Sequence, residues 1–339
     1  MVAAVAAAAA LPTMGKRPFQ AVLVVGVIGA AIVGWLLLSS SPAAEQSQII
    51  ESLEAAPAPT VPETSDPAPG SAAAGADDPA QEEDFPAIVD NALRNVDERE
   101  IPIDVALEVL ETFDHDTGAF TQGFELSDGR LFESTGLVGQ STIREVDLET
   151  GDVLRSADLP DVFGEGVTVI EDDDESTAIM LTWRDEVAFR FDLETFEELE
   201  TFSYSGQGWG ICHDGERLTM SNGSDVLQFR DPDSFELLDE VNVTLSGTPV
   251  LLINELECVG EAVWANIWQS SLVIQIDPAT GNVTRVLNAS DLTPPGFEGN
   301  TNDVLNGIAY DETNDTYLLT GKRWPVTYRV RLFDVPSTN

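Results

Sequence analysis

Basic residues are scarce in this chain: 16 Lys and Arg stand against 60 Asp and Glu, a formal net charge of −44 over 339 residues. Phosphate recognition needs clustered cations that displace counterions, so nucleic acid is excluded as a partner. Acidity on this scale reads as a solubility or salt-adaptation trait, with attraction of cationic peptides as the alternative. Histidine is rarer still. His115 and His213 are the only two, and no H-E-x-x-H or Cys/His spacing accompanies them, so the expectation is an activity without a metal or other cofactor. No D-x-D-x-D-G loop offers a calcium site. Two cysteines, Cys212 and Cys258, are too few for a disulfide framework or a thiolate cluster. They follow similar motifs, G-W-G-I-C and N-E-L-E-C, so a bridge between neighbouring strands is one option, and two buried free thiols are the preferred one.

Long apolar runs are also few; there is one, Ala21 to Leu38, without a charge and preceded by Lys16 and Arg17. Its length just reaches that of a membrane span, and the basic pair predicts a cytoplasmic N-terminus over 1–20, a transmembrane anchor over 21–38 and an extracytoplasmic remainder. A cleaved signal peptide, with Ser41-Pro42-Ala43 as the small-residue site, is the competing reading and would give a secreted protein. Residues 39–100 are rich in Ala, Pro, Asp and Glu and nearly devoid of aromatics, so they cannot bury enough apolar surface to offset chain entropy. A disordered acidic linker is expected there.

From Ile101 onward apolar and polar residues alternate between turn signals. Four related turns begin at Asp147, Asp192, Asp231 and Asp277, at intervals of 45, 39 and 46 residues, each between two short alternating segments. That is the spacing of four-stranded propeller blades joined by hairpins. A last unit from Val304 supplies three strands, near 305–310, 317–321 and 327–332, and Ile103 to Thr112 can add the fourth. The expectation is an all-β, five-bladed β-propeller over 101–334, closed by its N-terminal strand, monomeric, with a short tail at 335–339. A β-sandwich is the alternative, but it does not explain motifs recurring where each innermost strand begins.

Those motifs pair glycines or aromatics with one polar side chain. They are F-T-Q-G (Phe120 to Gly123), F-G-E-G (Phe163 to Gly166), L-T-W (Leu181 to Trp183), G-W-G (Gly208 to Gly210), L-x-N-E-L (Leu252 to Leu256), A-N-I-W (Ala265 to Trp268), L-N-G-I-A-Y-D (Leu305 to Asp311) and T-G-K-R-W-P (Thr320 to Pro325). Taken alone, F-G-E-G reads as a turn with a solvated Glu165, the Asn, Gln and Lys as loop-fixing side chains, and the tryptophans as core. In a propeller, however, the ends of the inner strands converge on one central pocket.

In order and spacing, the eight motifs resemble the plant and bacterial type of glutaminyl-peptide cyclotransferase, over about two thirds of the chain. The resemblance implies a five-bladed propeller that converts the N-terminal glutamine of peptides or proteins to pyroglutamate with loss of ammonia. It implies Glu165 as the acid-base residue, in an apolar, tightly turned setting that would raise its pKa. Gln122, Asn254 and Lys322 would bind the carboxamide and face developing negative charge. Trp183, Trp209 and Trp268, with Phe120 and Phe163, would wall the substrate. Asn306 and Glu255 are candidate wall residues, Trp264 could share a face with Asn266 and Trp268, and His115 is a candidate loop organiser. The segment Pro294 to Asp303 lengthens the connection before the last unit. The rival from another class is a non-enzymatic extracytoplasmic propeller that binds peptides or proteins; a metal-dependent hydrolase or lactonase fits less well.

Overall fold

The computed structural model describes residues 103–172 and 176–335; the apolar run, the acidic linker and the tail from 336 lie outside them. Among the described residues no helix is long and apolar enough to cross a membrane. Strand β1 (Val105–Asp114) is followed by a four-stranded antiparallel sheet of β2 (Thr121–Ser127), β3 (Arg130–Thr135), β4 (Thr142–Val146) and β5 (Val153–Asp158). A second comprises β6 (Gly164–Ile170), β7 (Thr177–Thr182), β8 (Val187–Asp192) and β9 (Glu198–Ser203), and a third β10 (Ile211–His213), β11 (Leu218–Ser221), β12 (Val226–Arg230) and β13 (Leu237–Asn242).

The small hairpin of β14 (Thr244–Leu245) and β15 (Thr248–Pro249) leads into β16 (Ile253–Val259), β17 (Ala262–Ile267), β18 (Leu272–Asp277) and β19 (Asn282–Asn288). The last strands are β20 (Leu305–Asp311), β21 (Thr316–Gly321) and β22 (Val326–Asp334). Their outer partner comes from the other end of the domain: β1 pairs antiparallel with β22, from Val105 opposite Asp334 to Asp114 opposite Val326. A parallel bridge from Val105 to Leu287 joins this group to β19, giving the sheet order β16-β17-β18-β19-β1-β22-β21-β20.

The repeated aspartate turns have one geometry. In each, the Asp side chain accepts a hydrogen bond from the hydroxyl three residues on: Thr150 at 3.1 Å, Thr195 at 2.6 Å, Ser234 at 2.9 Å and Thr280 at 2.7 Å. The backbone N–H of the fifth residue returns to the Asp carbonyl at 2.8 to 2.9 Å. That fifth residue has positive φ, which glycine adopts freely at Gly151 and Gly281 but phenylalanine does not at Phe196 and Phe235. Burial of both rings offsets the strain, and Phe235 stacks on Phe202 at 5.4 Å. The last group has no such turn because its outer strand is β1.

Burial falls from the first strand of each sheet to the fourth. β2 and β6 are buried along most of their length, whereas β5, β9 and β13 are mostly exposed. The first strands touch in a cycle: β2 packs on β6, β6 on β10, β10 on β16, β16 on β20 and β20 on β2. Glycine permits this approach. A Cβ at Gly123 would lie 2.3 Å from the nitrogen of Val167, at Gly166 2.7 Å from the carbonyl oxygen of Trp209, and at Gly210 2.2 Å from that of Asn254.

The preferred reading of two free thiols is corrected: Cys212 on β10 and Cys258 on β16 form a disulfide, with Cα atoms 5.5 Å apart. The inner strands that carry them are neighbours in the cycle, which linear motif spacing alone did not establish. The bridge spans a sequence separation of 46 residues, and constraining the unfolded chain over such a loop stabilises by about 2–4 kcal/mol. Replacing both cysteines by alanine should lower the unfolding free energy by that amount, read as a reduced urea midpoint with an intact native circular dichroism spectrum.

Candidate active site

The strand cycle brings the first residues of the inner strands together. Gln122 on β2, Glu165 on β6, Asn254 on β16 and Lys322, in the connection after β21, are each at most 5% exposed. The chain has two lysines, and Lys322 is the only one among the described residues. Its ammonium donates to the carbonyl oxygen of Gln122 and lies 4.7 Å from the centre of the Phe120 ring. Burial pushes the Lys322 ammonium down to about 8, while the Glu165 carboxylate pulls it partly back. Burial likewise raises Glu165 well above the usual carboxylate range, and Lys322 opposes that rise. The two groups therefore sense each other in a site buried from solvent.

An aromatic wall runs beside this pair. Phe120 meets Phe163 edge-on at 6.2 Å, Phe163 meets Trp183 at 5.4 Å, and Trp209 meets Trp268 edge-on at 5.6 Å. The two halves are joined by Gln207, whose side-chain oxygen accepts from the indole N–H of Trp183 at 2.8 Å and of Trp209 at 3.0 Å. Sequence reasoning did not single out Gln207. Its signal was its place between two glycines just before Trp209, where a side chain reaches both neighbouring units. Room for the rings comes from glycine again: a Cβ at Gly136 would lie 2.4 Å from Phe163, and one at Gly223 2.6 Å from Trp209.

Asn254 contributes a buried carboxamide oxygen with no hydrogen-bond partner among the described residues, and Asn306 another. Such atoms are uncommon in folded proteins and suit a ligand amide. The Asn306 amide donates to the Thr121 carbonyl at 3.0 Å, tying β20 to the segment that carries Gln122. Glu255 has a structural engagement, accepting the Ile308 N–H at 2.9 Å. Asn266 accepts the Gly307 N–H at 2.9 Å. Trp264 does not join Trp268: it is packed in the core with Trp324, whereas Trp268 lies beyond the end of β17 and packs with Trp209, because alternation stops where the strand does.

His115 organises the seam between the ends of the domain. Its Nδ1 donates to the Trp324 carbonyl at 2.7 Å and its Nε2 to Glu133 Oε1 at 3.1 Å. A carbonyl and an ionised carboxylate only accept, so both contacts favour a ring that carries both protons. Burial works against that charge, but Glu133 beside it prevails and raises the His115 pKa. Burial would also raise Glu133; Arg144 and His115 instead hold it down to about 2. Thr121, next to Gln122, donates to the same carboxylate at 2.6 Å. Through Trp324 and Thr121 this cluster holds the segments bearing Lys322 and Gln122. His213 lies in β10, outside this network.

Further along the inner strands, Glu125, Glu255 and Glu257 are raised chiefly by burial, Glu125 to about 8. Among the described residues no group of His, Cys, Asp and Glu is arranged to hold a metal ion. Since the folded pKa of Glu125 exceeds its unfolded value, its contribution to stability is complete below about pH 4.5 and lost as pH rises through about 8. Glu125→Gln should therefore flatten the decline in thermal midpoint over that window, measured by calorimetry.

The family model described as glutamine cyclotransferase matches residues 87–332. A glutaminyl-peptide cyclotransferase of Arabidopsis thaliana is 36% identical over 234 residues, which is 67% of this chain and 71% of that protein. The crystal structure of Myxococcus xanthus glutaminyl cyclase superposes with a TM-score of 0.64 at 40% identity, covering 69% of this chain and all of that one.

Proposed function

The chain belongs to the glutamine cyclotransferase family, and on that footing we propose that it closes the N-terminal glutamine of peptides and proteins into pyroglutamate, with Glu165 carrying the proton. The observation that supports this assignment most directly is the buried Glu165–Lys322 pair beside an aromatic wall. A purely peptide-binding scaffold has no need to desolvate two ionisable groups. The cyclic contact of β2, β6, β10, β16 and β20 supports a five-bladed propeller whose inner strands point their first residues into one pocket.

The reaction is an intramolecular acyl transfer. The neutral α-amine attacks the side-chain carboxamide carbon, the new C–N bond closes the five-membered ring, and the old C–N bond breaks as ammonia departs. Because the nucleophile is tethered, the protein's work is to fold the substrate, move protons and stabilise the oxyanion. Glu165, as carboxylate, takes the proton that the amine sheds and returns it to the departing nitrogen. A raised pKa suits both transfers, since neither direction is then strongly uphill. With its carbonyl committed to Lys322, Gln122 presents its NH₂ to the substrate oxygen, and the Lys322 ammonium supplies positive charge nearby. Asn254 accepts from the substrate amide. Phe120, Phe163, Trp183, Trp209 and Trp268 cover the methylenes and exclude water. The route proposed here uses no metal. Work outside the cytoplasm, tethered by residues 21–38 and as a monomer, completes the reading; the Cys212–Cys258 bridge favours such an oxidising location.

Residues 100–339 incubated with a Gln-initiated dipeptide should release ammonia, with or without chelator; no release would sink the assignment. Glu165→Gln should reduce kcat by about 10²–10⁴-fold with the fold retained. Lys322, charged below about 8, should set the alkaline limb of kcat/KM. In Lys322→Arg that limb should move upward, because a guanidinium keeps its proton; a limb that stays put would remove Lys322 from the role given it.

A further inference from the structure

The connection from β19 to β20 is the longest between an outer strand and the next inner one, running from Ala289 to Val304. With the connections that follow β17 and β21 it lines a half-open cavity of about 330 Å³. The walls include Gln269, Ser271, Thr293, Phe297, Glu298 and Asp303. Two of the cavity's wall segments adjoin, along the chain, residues assigned to the pocket for the N-terminal glutamine. Gln269 directly follows Trp268, and Trp324, which lines the cavity, is two residues beyond Lys322. Asp303 is close enough for its charge to act on Lys322, and it pairs with Arg323 at 3.3 Å. The lining comes from the same classes of connection that carry Trp183, Trp268 and Lys322, so it opens at the same end of the inner strands.

A peptide whose first residue occupies the catalytic pocket must send its second residue out through this end. The cavity volume suits roughly two residues. Its hydroxyl and amide lining suits peptide backbone groups, and half-buried Phe297 offers an apolar face. Asp303 is balanced by Arg323 and accepts from the Asn300 amide at 3.0 Å. Glu298 is exposed; its carboxylate accepts the backbone N–H of Gly296 at 2.7 Å and its own backbone N–H, and among the described residues it makes no salt bridge. Its carboxylate leaves the lining with a net negative charge. We propose that this cavity is the subsite for the second and third residues of the substrate and that it selects a basic side chain there.

This inference rests on the cyclotransferase reading, and the test separates the two. Full-length protein is assayed with glutamine amide, which leaves the cavity empty, and with the tripeptides Gln-Arg-Ala, Gln-Ala-Arg, Gln-Ala-Ala and Gln-Glu-Ala. At least one arginine peptide should exceed the glutamate peptide by about fivefold or more in kcat/KM, the scale of one partly exposed ion pair. Glu298→Gln keeps an oxygen for the Gly296 N–H and should remove most of that discrimination while leaving glutamine amide unchanged. Glu197→Gln, an equal charge loss at an exposed turn on another sheet, should leave the discrimination intact. Equal kcat/KM among the tripeptides, or equal responses to the two substitutions, would overturn the subsite and leave the reaction standing. Failure to release ammonia from any of the substrates would overturn the reaction itself, and the subsite with it.

Discussion

Neighbouring inner strands of this protein touch main chain to main chain. Gly123, Gly166 and Gly210 lie where any side chain would strike the backbone of the next strand, and the tight ring that results decides what can stand at its centre. Side chains at the strand entrances are buried, and partners brought from distant parts of the sequence become adjacent. Sheets that are mostly exposed at their outer strands are buried at the inner ones for the same reason. A looser ring would solvate Glu165 and Lys322, and each would return toward its ordinary acidity.

Desolvation acts on those two groups in opposite senses. It raises a carboxylic acid and lowers an ammonium, so the difference in proton affinity between Glu165 and Lys322 is narrower than between the free side chains. Their mutual attraction restores part of the gap. A carboxyl group whose proton affinity is raised in this way suits the proton transfer proposed for Glu165. At the seam between the ends of the domain the reverse policy operates. Around Glu133, two cations and a hydroxyl compensate burial, so that carboxylate stays charged and acts as a fixed anchor.

Much of this was legible because local chemistry and architecture agree. The aspartate turns announced hairpins, since side-chain and backbone bonds within five residues define them whatever surrounds them. Alternation in 103–112 marked a strand seeking a partner, and β1 has one. The position of Glu165 followed from its motif. What stayed hidden depends on contacts across units. Cys212 and Cys258 become neighbours only through the packing of β10 on β16. Gln207 reveals its role only once two indoles from adjacent sheets converge on it, and Trp264 departs from Trp268 because a strand ends between them. Neither the proton count on His115 nor the bond between Lys322 and Gln122 is written in any window of sequence.

That last bond joins residues 200 positions apart, one near each end of the folded domain. It lies beside the seam where β1 meets β22, and His115, Thr121 and Trp324 brace the same place. A chain emerging from the ribosome holds Glu165 and the aromatic wall long before it holds Lys322, and β22 arrives later still. With the role proposed for Lys322, catalytic competence becomes a property of the finished chain: prematurely ended products would carry most of the pocket yet remain silent toward the N-termini around them.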